Sequence, residues 1–289
     1  MTESVRKRGV PAPAGNLSTG LLKLIALVFM FIDHSGKVLF NNCPEMRILG
    51  RIAFPVYVWC MIVGFSRTRS VPRYLLRIFL IGLISQPLYV FALDGEGDLG
   101  VILQRVVEPL AGGFSPEGVW LVFKALFLTR PNVFLTLLLG LAALWGIRSE
   151  KWLSQFWAPA VAMILASVLD ADYGWEAVLL FVFLYMVQGS RGGIAAVMIS
   201  FFLFWGARYR MTSSLFGLRI DLTKLPSFLS DPLSHVLRME TYALLSLPLI
   251  LIRMPWRFRM PKWLSYGLYP AHLVVLIVLK LLVFGVKIS

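Results

Sequence analysis

The feature that most constrains this chain is a series of long apolar segments that recurs from near residue 20 to near residue 284. A helix that crosses a bilayer needs about 20 mostly apolar residues, or about 17 at the short end. About nine candidate segments lie at 21–40, 48–66, 74–93, 133–147, 157–169, 175–187, 194–206, 241–252 and 264–284. Those that begin at 157 and 241 are short and need to extend, or to pair differently, to span the bilayer. The pattern predicts an all-α, polytopic integral membrane protein, a bundle of about nine transmembrane helices embedded in the lipid bilayer.

Composition excludes the other broad classes of protein. Of the 289 residues, 58% are hydrophobic and 15% are charged, whereas a soluble domain carries about 25% charged residues. A soluble enzyme, a disordered chain and a fibrous protein are thereby ruled out. The two cysteines, Cys43 and Cys60, and the three histidines form no metal-binding motif, so we expect no metal cofactor.

Basic residues predict how the chain is oriented in the membrane. The 28 Lys and Arg outnumber the 15 Asp and Glu, an excess that would suggest a nucleic-acid partner in a soluble protein. Here it falls in short loops, so we expect no nucleic-acid partner. The basic residues cluster in the tail at 6–8 and in alternate loops at 67–77, 148–151, 191 and 253–262. Cytoplasmic loops are enriched in Lys and Arg, so the N-terminus is predicted to be cytoplasmic, with the C-terminus and the acidic stretch 94–98 outside.

The chain divides into a tail and one membrane domain. Residues 1–19 form a polar cytoplasmic tail, and residues 20–289 form a single transmembrane domain without an evident repeat. Two long segments of that domain, 94–132 and 207–240, are predicted to lie outside. The stretch 119–128 is apolar but too short to span, so we interpret it as interfacial or re-entrant.

Ionisable residues inside the first span are the leading functional candidates, because a charge at the bilayer centre costs about 2.5–3.5 kcal/mol. Lys23 and His34 are eleven positions apart, which places them on one helix face, roughly 16 Å apart along the axis. An imidazole is suited to act as a general base. A carboxylate such as Asp33 can orient the imidazole, and Lys23 can hold a phosphate. The alternative is a buried ion pair that only fixes helix packing.

Two further spans carry polar residues at regular spacing. Arg51, near the start of the second span, is placed to pair with Asp33, to bind an anionic ligand or to anchor the helix at the interface. In the last span Tyr269 and His272 lie on one ridge beside Pro270. Such a ridge indicates a second catalytic group rather than packing alone.

Weaker signals come from two places. The turn before the sixth span contains Asp170, Asp172 and Tyr173, which we interpret as a substrate-facing rim or a simple solvated turn. Asn132 and Thr136 share a face at the start of the fourth span, where they either contact a substrate or hold helices together.

Several short motifs together resemble one known family. They are Lys23-x-Ile-Ala, Met30-x-Ile-Asp33-His34, Gly50-Arg-Ile-Ala-Phe-Pro55, Asn132-x-Phe-x-Thr136, Asp172-Tyr-Gly174 and Tyr269-Pro-x-His272. This set resembles the TraX family of integral membrane proteins over about residues 21–280. The two outer segments look long for a member of that family.

The resemblance implies a membrane-bound acetyltransferase in the bacterial cytoplasmic (inner) membrane. The family's namesake N-acetylates a conjugative pilin subunit, and the family is similar to acyltransferase family three and the lysosomal heparan N-acetyltransferase. In acyltransferase family three, a basic residue of the first span is followed by ten residues and a histidine, which Lys23 and His34 match. Acetyl-CoA would then be the donor, used from the cytoplasmic side. The acceptor, a pilin-like amine or an envelope glycan, would lie in the membrane or beyond it.

Roles for individual residues follow from this hypothesis. His34, oriented by Asp33, would act as the base or carry the acetyl group transiently, with His272 and Tyr269 supplying a second proton or an oxyanion contact. Donor phosphates would be held by basic side chains, with Lys23, Arg51, Arg73 and Arg77 as candidates. The main alternative is a proton-coupled transporter or flippase that uses Asp33, His34 and Lys23 as a relay. A non-catalytic assembly scaffold would leave the buried charges unexplained.

Overall fold

The computed structural model describes residues 11–93, 99–149, 151–209, 211–212, 214–215, 217–255, 258 and 260–284. The basic cluster at 6–8 and the acidic stretch at 94–98, both used above to predict orientation, lie outside the described residues. Helices dominate the described part of the chain. They are α1 (Thr19–Val38), α2 (Pro44–Gly50), α3 (Ala53–Arg67), α4 (Val71–Leu93), α5 (Leu99–Val107), α6 (Pro116–Phe127), α7 (Val133–Arg148), α8 (Trp152–Val168), α9 (Gly174–Val187), α10 (Arg191–Gly206), α11 (Ser227–Val236), α12 (Leu247–Leu251) and α13 (Lys262–Phe284).

Shorter elements complete the fold. Two 3₁₀ helices span Glu108–Leu110 and Met239–Ser246. The strands β1 (Ser214–Leu215) and β2 (Leu218–Arg219) form a two-stranded antiparallel hairpin. The predicted all-α class is therefore confirmed, with this hairpin as a minor addition.

Prolines interrupt two of the predicted spans. In the second, a turn at Arg51 separates α2 from α3, because Pro55 has no N–H to donate to the carbonyl of Arg51 in the helical ladder. In the eighth, the chain runs as the 3₁₀ helix Met239–Ser246 and then as α12, whose second residue is Pro248.

The expected number of spans is not established. Within the part of the chain that the structure describes, three helical stretches are long and apolar enough to cross a membrane, at Pro44–Arg67, Val71–Leu93 and Trp263–Val283. The shorter apolar helices, such as α9 with 14 residues, extend only about 21 Å at 1.5 Å per residue, less than a hydrocarbon core of about 30 Å. The nine-span topology stays a prediction.

The buried centre of the bundle is α3, whose side chains from Ala53 to Val63 are almost all inaccessible. Helices α1, α7, α9 and the 3₁₀ helix Met239–Ser246 pack around it. Outer helices α4, α8 and α13 instead expose large apolar side chains such as Ile84 and Leu282. An exposed apolar surface of this kind suits contact with lipid, which is consistent with an all-α membrane protein.

The two ends of the bundle differ in character. At the end where α1 begins, called the Lys23 end, the α3–α4, α7–α8 and α9–α10 connections meet the segment 11–18. There Ala14 donates its N–H to the Gln188 carbonyl and the Trp59 indole donates to the Asn16 carbonyl. The opposite end, called the Asp33 end, gathers the end of α1, helix α2 and the turn before α9.

Candidate functional site

A narrow cavity of about 70 Å³, called here the central passage, lies inside the bundle. It runs from Lys23 near the start of α1 to Asp33 and His34 near its end. Helices α3, α4, α7 and α13 form most of its other walls, with Tyr269 among the lining side chains. Lys23 and His34, which helix geometry places on one face of α1, therefore line one cavity.

Wider cavities open at each end of the passage. The Lys23-end cavity has a volume of about 630 Å³ and shares Lys23 and Ser265 with the passage. The Asp33-end cavity has a volume of about 610 Å³ and shares His34 and Asp172 with it. The three cavities thus follow one another through the bundle, and each junction is lined by polar side chains.

The two intramembrane histidines meet directly. His34 Nδ1 lies 3.0 Å from His272 Nε2, within hydrogen-bond distance, and the rings stack with centroids 5.2 Å apart. His34 lines both the passage and the Asp33-end cavity, whereas His272 is buried behind it with only 6% of its surface exposed. The ring of Tyr269 packs edge-on against His272. The imidazole of His34 therefore faces the cavities, and the imidazole of His272 holds it in place.

Asp33 belongs to a separate ionic network. Its carboxylate pairs with Arg47 Nε at 2.8 Å and with Arg51 Nη2 at 3.3 Å. Arg51 Nη1 also donates to Glu240 Oε1 at 2.9 Å. The expected orientation of His34 by Asp33 is therefore replaced by orientation through His272. Arg51, expected to bind a cofactor, is held by two carboxylates instead.

The turn before α9 forms part of the Asp33-end cavity. Tyr173 stacks on Phe54 with ring centroids 3.9 Å apart, and Asp170 lies on the cavity rim. Asp172 faces both the cavity and the passage.

The other expected site residues lie away from these cavities. Asn132 caps α7 by accepting from the Phe134 N–H, and its amide donates to the Gly82 carbonyl, so it holds α7 to α4. Thr136 is fully buried on α7. Arg73 and Arg77 are exposed on α4 and line none of the three cavities described.

Two residues of the site were not predicted from the sequence. Glu240 neutralises Arg51 from a position 189 residues away, and its only sequence signal is an acidic residue directly before an apolar segment. Ser265 accepts a hydrogen bond from the Lys23 ammonium at 3.1 Å. Pairing between such distant residues follows from tertiary packing and leaves no local pattern.

Gly50 permits the close approach of α2 to Asp33. A Cβ atom at position 50 would lie 2.5 Å from the Asp33 carboxyl carbon. We expect Gly50→Ala to destabilise the protein by about 1–3 kcal/mol, because the carboxylate must move from its arginine partners.

Gly267→Ala is the matched control, since nothing lies within 4 Å of the Cβ that it adds. Stability is measured by thermal unfolding in detergent in a Cys43→Ser background. Cys60 is then the only cysteine and is buried, so its reaction with a thiol-specific dye reports unfolding. Equal melting temperatures for the two alanine variants would contradict the predicted clash.

The fold and the site together define a helical membrane protein with a buried histidine pair between two end cavities. Comparison with protein families identifies the family to which the chain belongs. The family described as TraX protein matches residues 18–108 and 117–280, and the chain belongs to that family.

Individual relatives match shorter parts of the chain. A protein of Dichelobacter nodosus described as "Probable fimbrial assembly protein FimC, serogroup H1" is 32% identical over 140 residues, which are 44% of this chain and 56% of that protein. An uncharacterized protein of Rickettsia prowazekii (strain Madrid E) is 46% identical over 46 residues, 16% of this chain and 18% of that protein. These matches cover less than two thirds of either relative's length. No solved structure matches the chain.

Proposed function

We propose that this protein is an integral membrane acetyltransferase. It takes the acetyl group of acetyl-CoA at the Lys23 end and transfers it to an amine or hydroxyl acceptor that enters from the Asp33 end. The observation that carries the proposal is the placement of His34 where the central passage meets the Asp33-end cavity. Donor and acceptor can approach that imidazole from opposite sides of the bundle.

The chemistry needs one base and one stabilised oxyanion. His34 accepts a proton from the acceptor as its nitrogen or oxygen attacks the thioester carbonyl. A carbon–nitrogen or carbon–oxygen bond forms, the carbon–sulfur bond breaks, and the thiolate of CoA leaves with the proton held by the imidazolium. The buried hydroxyl of Tyr269 lines the passage and is placed to donate to the developing oxyanion.

The histidine pair also supports a two-step variant of this reaction. The imidazole nitrogen of His34 first attacks the thioester carbonyl, a nitrogen–carbon bond forms as the carbon–sulfur bond breaks, and the imidazole proton leaves with the thiolate as CoA. The acceptor then attacks the acetyl-imidazole, the nitrogen–carbon bond to His34 breaks, and the released imidazole takes up the acceptor's proton. His272 holds the ring of His34 through the 3.0 Å contact in either route. Both routes consume one acetyl-CoA for each acetylated acceptor.

Charge distribution supports the direction of transfer. Arg67, Arg148, Arg191 and Arg253 all lie at the Lys23 end. Cytoplasmic loops of membrane proteins are enriched in such residues, so the Lys23 end faces the cytoplasm of a bacterium, where acetyl-CoA is made. The Asp33 end then faces the outer side of the inner membrane. A pilin-like protein or an envelope glycan is the acceptor class, in keeping with the fimbrial assembly relative.

The proposal is tested with the full chain in detergent and acetyl-CoA labelled in its acetyl group. Acceptors are a short peptide with a free N-terminus and a hexosamine, which offers both an amine and hydroxyls. We expect label on an acceptor and an equal release of CoA. Absence of acetyl transfer to every acceptor would overturn the proposal, whether or not calorimetry detects binding of acetyl-CoA.

Lys23 gives a quantitative prediction in the same preparation. Because a hydrogen bond to a charged group contributes about 1.5–3 kcal/mol, Lys23→Ala should weaken acetyl-CoA binding at least about tenfold. Arg77→Ala is the control, since Arg77 is exposed on α4 away from the cavities. Equal affinities for the two variants would remove Lys23 from the donor site.

The series of cavities would also suit a proton-coupled transporter or flippase, in which Asp33, His34 and Lys23 form the relay. Proteoliposomes distinguish the two functions. Solute counterflow that disappears in Asp33→Asn, without consumption of acetyl-CoA, would replace the acetyltransferase proposal.

A further inference from the structure

The Lys23-end cavity is distinguished by the charge of its walls. Lys23, Arg67 and Arg253 line it, together with the hydroxyl-bearing side chains of Ser18 and Ser265. No Asp or Glu occurs among the described residues that line it. Three cations without a compensating acid favour a polyanionic ligand.

The start of α1 adds to this positive field. Thr19 and Gly20, in the first turn of the 20-residue helix α1, line the cavity. Ser18, the N-cap residue, makes no side-chain capping bond and donates its hydroxyl to the Met254 carbonyl. The first N–H groups of a helix have no partner within it, and they carry the positive end of the helix dipole toward an anion.

The basic side chains of the cavity differ in what they already contact. Lys23 donates to Ser265, and Arg253 Nε donates to the Ala14 carbonyl at 3.2 Å. Arg67 is exposed and makes no hydrogen bond or ion pair with the described part of the chain. Its guanidinium is therefore available to a ligand.

The two connected cavities differ in volume and therefore admit different parts of a ligand. The Lys23-end cavity, at about 630 Å³, falls within the range of about 300–1,000 Å³ typical of small-molecule sites. The central passage beyond Lys23 holds only about 70 Å³. A bulky phosphorylated nucleotide fits the first cavity, and only a slender chain enters the second. Met254, Phe258 and Met260 supply a soft apolar wall for a base ring.

From these observations we infer that Lys23, Arg67 and Arg253 form the binding site for the phosphate groups of coenzyme A. The nucleotide stays in the Lys23-end cavity, and the pantetheine arm passes Lys23 and Ser265 to carry its thioester into the central passage. The inference rests on the proposed function. It assigns the donor phosphates to Arg67 and Arg253 in place of Arg73 and Arg77, which are exposed on α4.

The test compares three ligands by calorimetry on the full chain in detergent. Coenzyme A carries a 3′-phosphate and a pyrophosphate, dephospho-coenzyme A lacks the 3′-phosphate, and pantetheine has neither. We expect affinity to fall in that order. Arg67→Ala and Arg253→Ala should each weaken coenzyme A binding about tenfold and leave pantetheine binding unchanged.

Control variants distinguish the loss of a positive charge from a change in local structure. Arg77→Ala should bind coenzyme A like the wild type. Arg253→Ala also removes the contact with Ala14, so Arg253→Lys, which keeps the charge, should recover most of the affinity. Arg67 makes no such contact with the described residues, so Arg67→Ala is the decisive variant of the test.

Each outcome decides one proposal. Coenzyme A affinity within twofold of wild type in both alanine variants would overturn the phosphate site, even if acetyl transfer is observed. Weakened binding as expected, but with no acetyl transfer to any acceptor, would uphold the site and overturn the acetyltransferase.

Discussion

Replacing His34 with Ala is expected to lower acetyl transfer by about 10²–10⁴-fold, the usual contribution of a positioned general base. His34 is the histidine that faces both the passage and the Asp33-end cavity. Its removal leaves the ionic network around Asp33 untouched, so the melting temperature should change little. Label transfer from acetyl-CoA to the peptide or hexosamine acceptor measures the effect.

His272 should show a smaller loss, because it acts by positioning His34 through the 3.0 Å contact. His272→Gln should recover part of the activity lost in His272→Ala, since an amide can still bond to the imidazole. His235 lies exposed on α11, and His235→Ala is the matched control with wild-type activity. Full activity in His34→Ala would exclude His34 as the base. A pH–rate profile in His272→Ala that equals the wild-type profile would exclude a role for His272 in positioning His34.

Helix positions were largely predictable because burial in lipid demands long apolar segments, and each predicted segment is helical in the described chain. The breaks inside those segments were harder to locate. The interruption after Arg51 is local and follows from Pro55. Helices α5 and α11 lie in segments predicted as outer loops, and α6 covers most of the apolar stretch 119–128 that was predicted to be interfacial or re-entrant. Their short amphipathic patterns are too brief to distinguish from loops by periodicity.

The site was predictable only where its geometry is local to one helix. Lys23 and His34 share a face of α1 because of the helical repeat. The same repeat turns Asp33 about 100° away from His34, toward α2, so adjacency in sequence was a poor guide to its partner. His272 lies 238 residues from His34, and Glu240 lies 189 residues from Arg51. Only packing of the whole bundle determines such pairs.

The ionic network at the Asp33 end leads to the second large effect. Arg51→Met is expected to destabilise the protein by about 3–5 kcal/mol, because removing one member of a buried ion pair leaves an uncompensated charge. Asp33 retains Arg47 at 2.8 Å, but Glu240, with 5% of its surface exposed, keeps no other ion-pair partner among the described residues. Dye labelling of Cys60 during thermal unfolding measures the loss.

The source of that loss can be isolated with a second substitution. Arg51→Met with Glu240→Gln removes the stranded charge, so the double variant should be more stable than Arg51→Met alone. Measuring Glu240→Gln alone completes the double-mutant cycle, which gives the coupling energy between the two residues. Arg77→Met, on the exposed face of α4, should change stability by no more than about 0.5 kcal/mol. If Arg51→Met melts like Arg77→Met, the network does not hold α1, α2 and the 3₁₀ helix Met239–Ser246 together. Arg51 would then be free to serve a ligand in the Asp33-end cavity, the role that its charge alone first indicated.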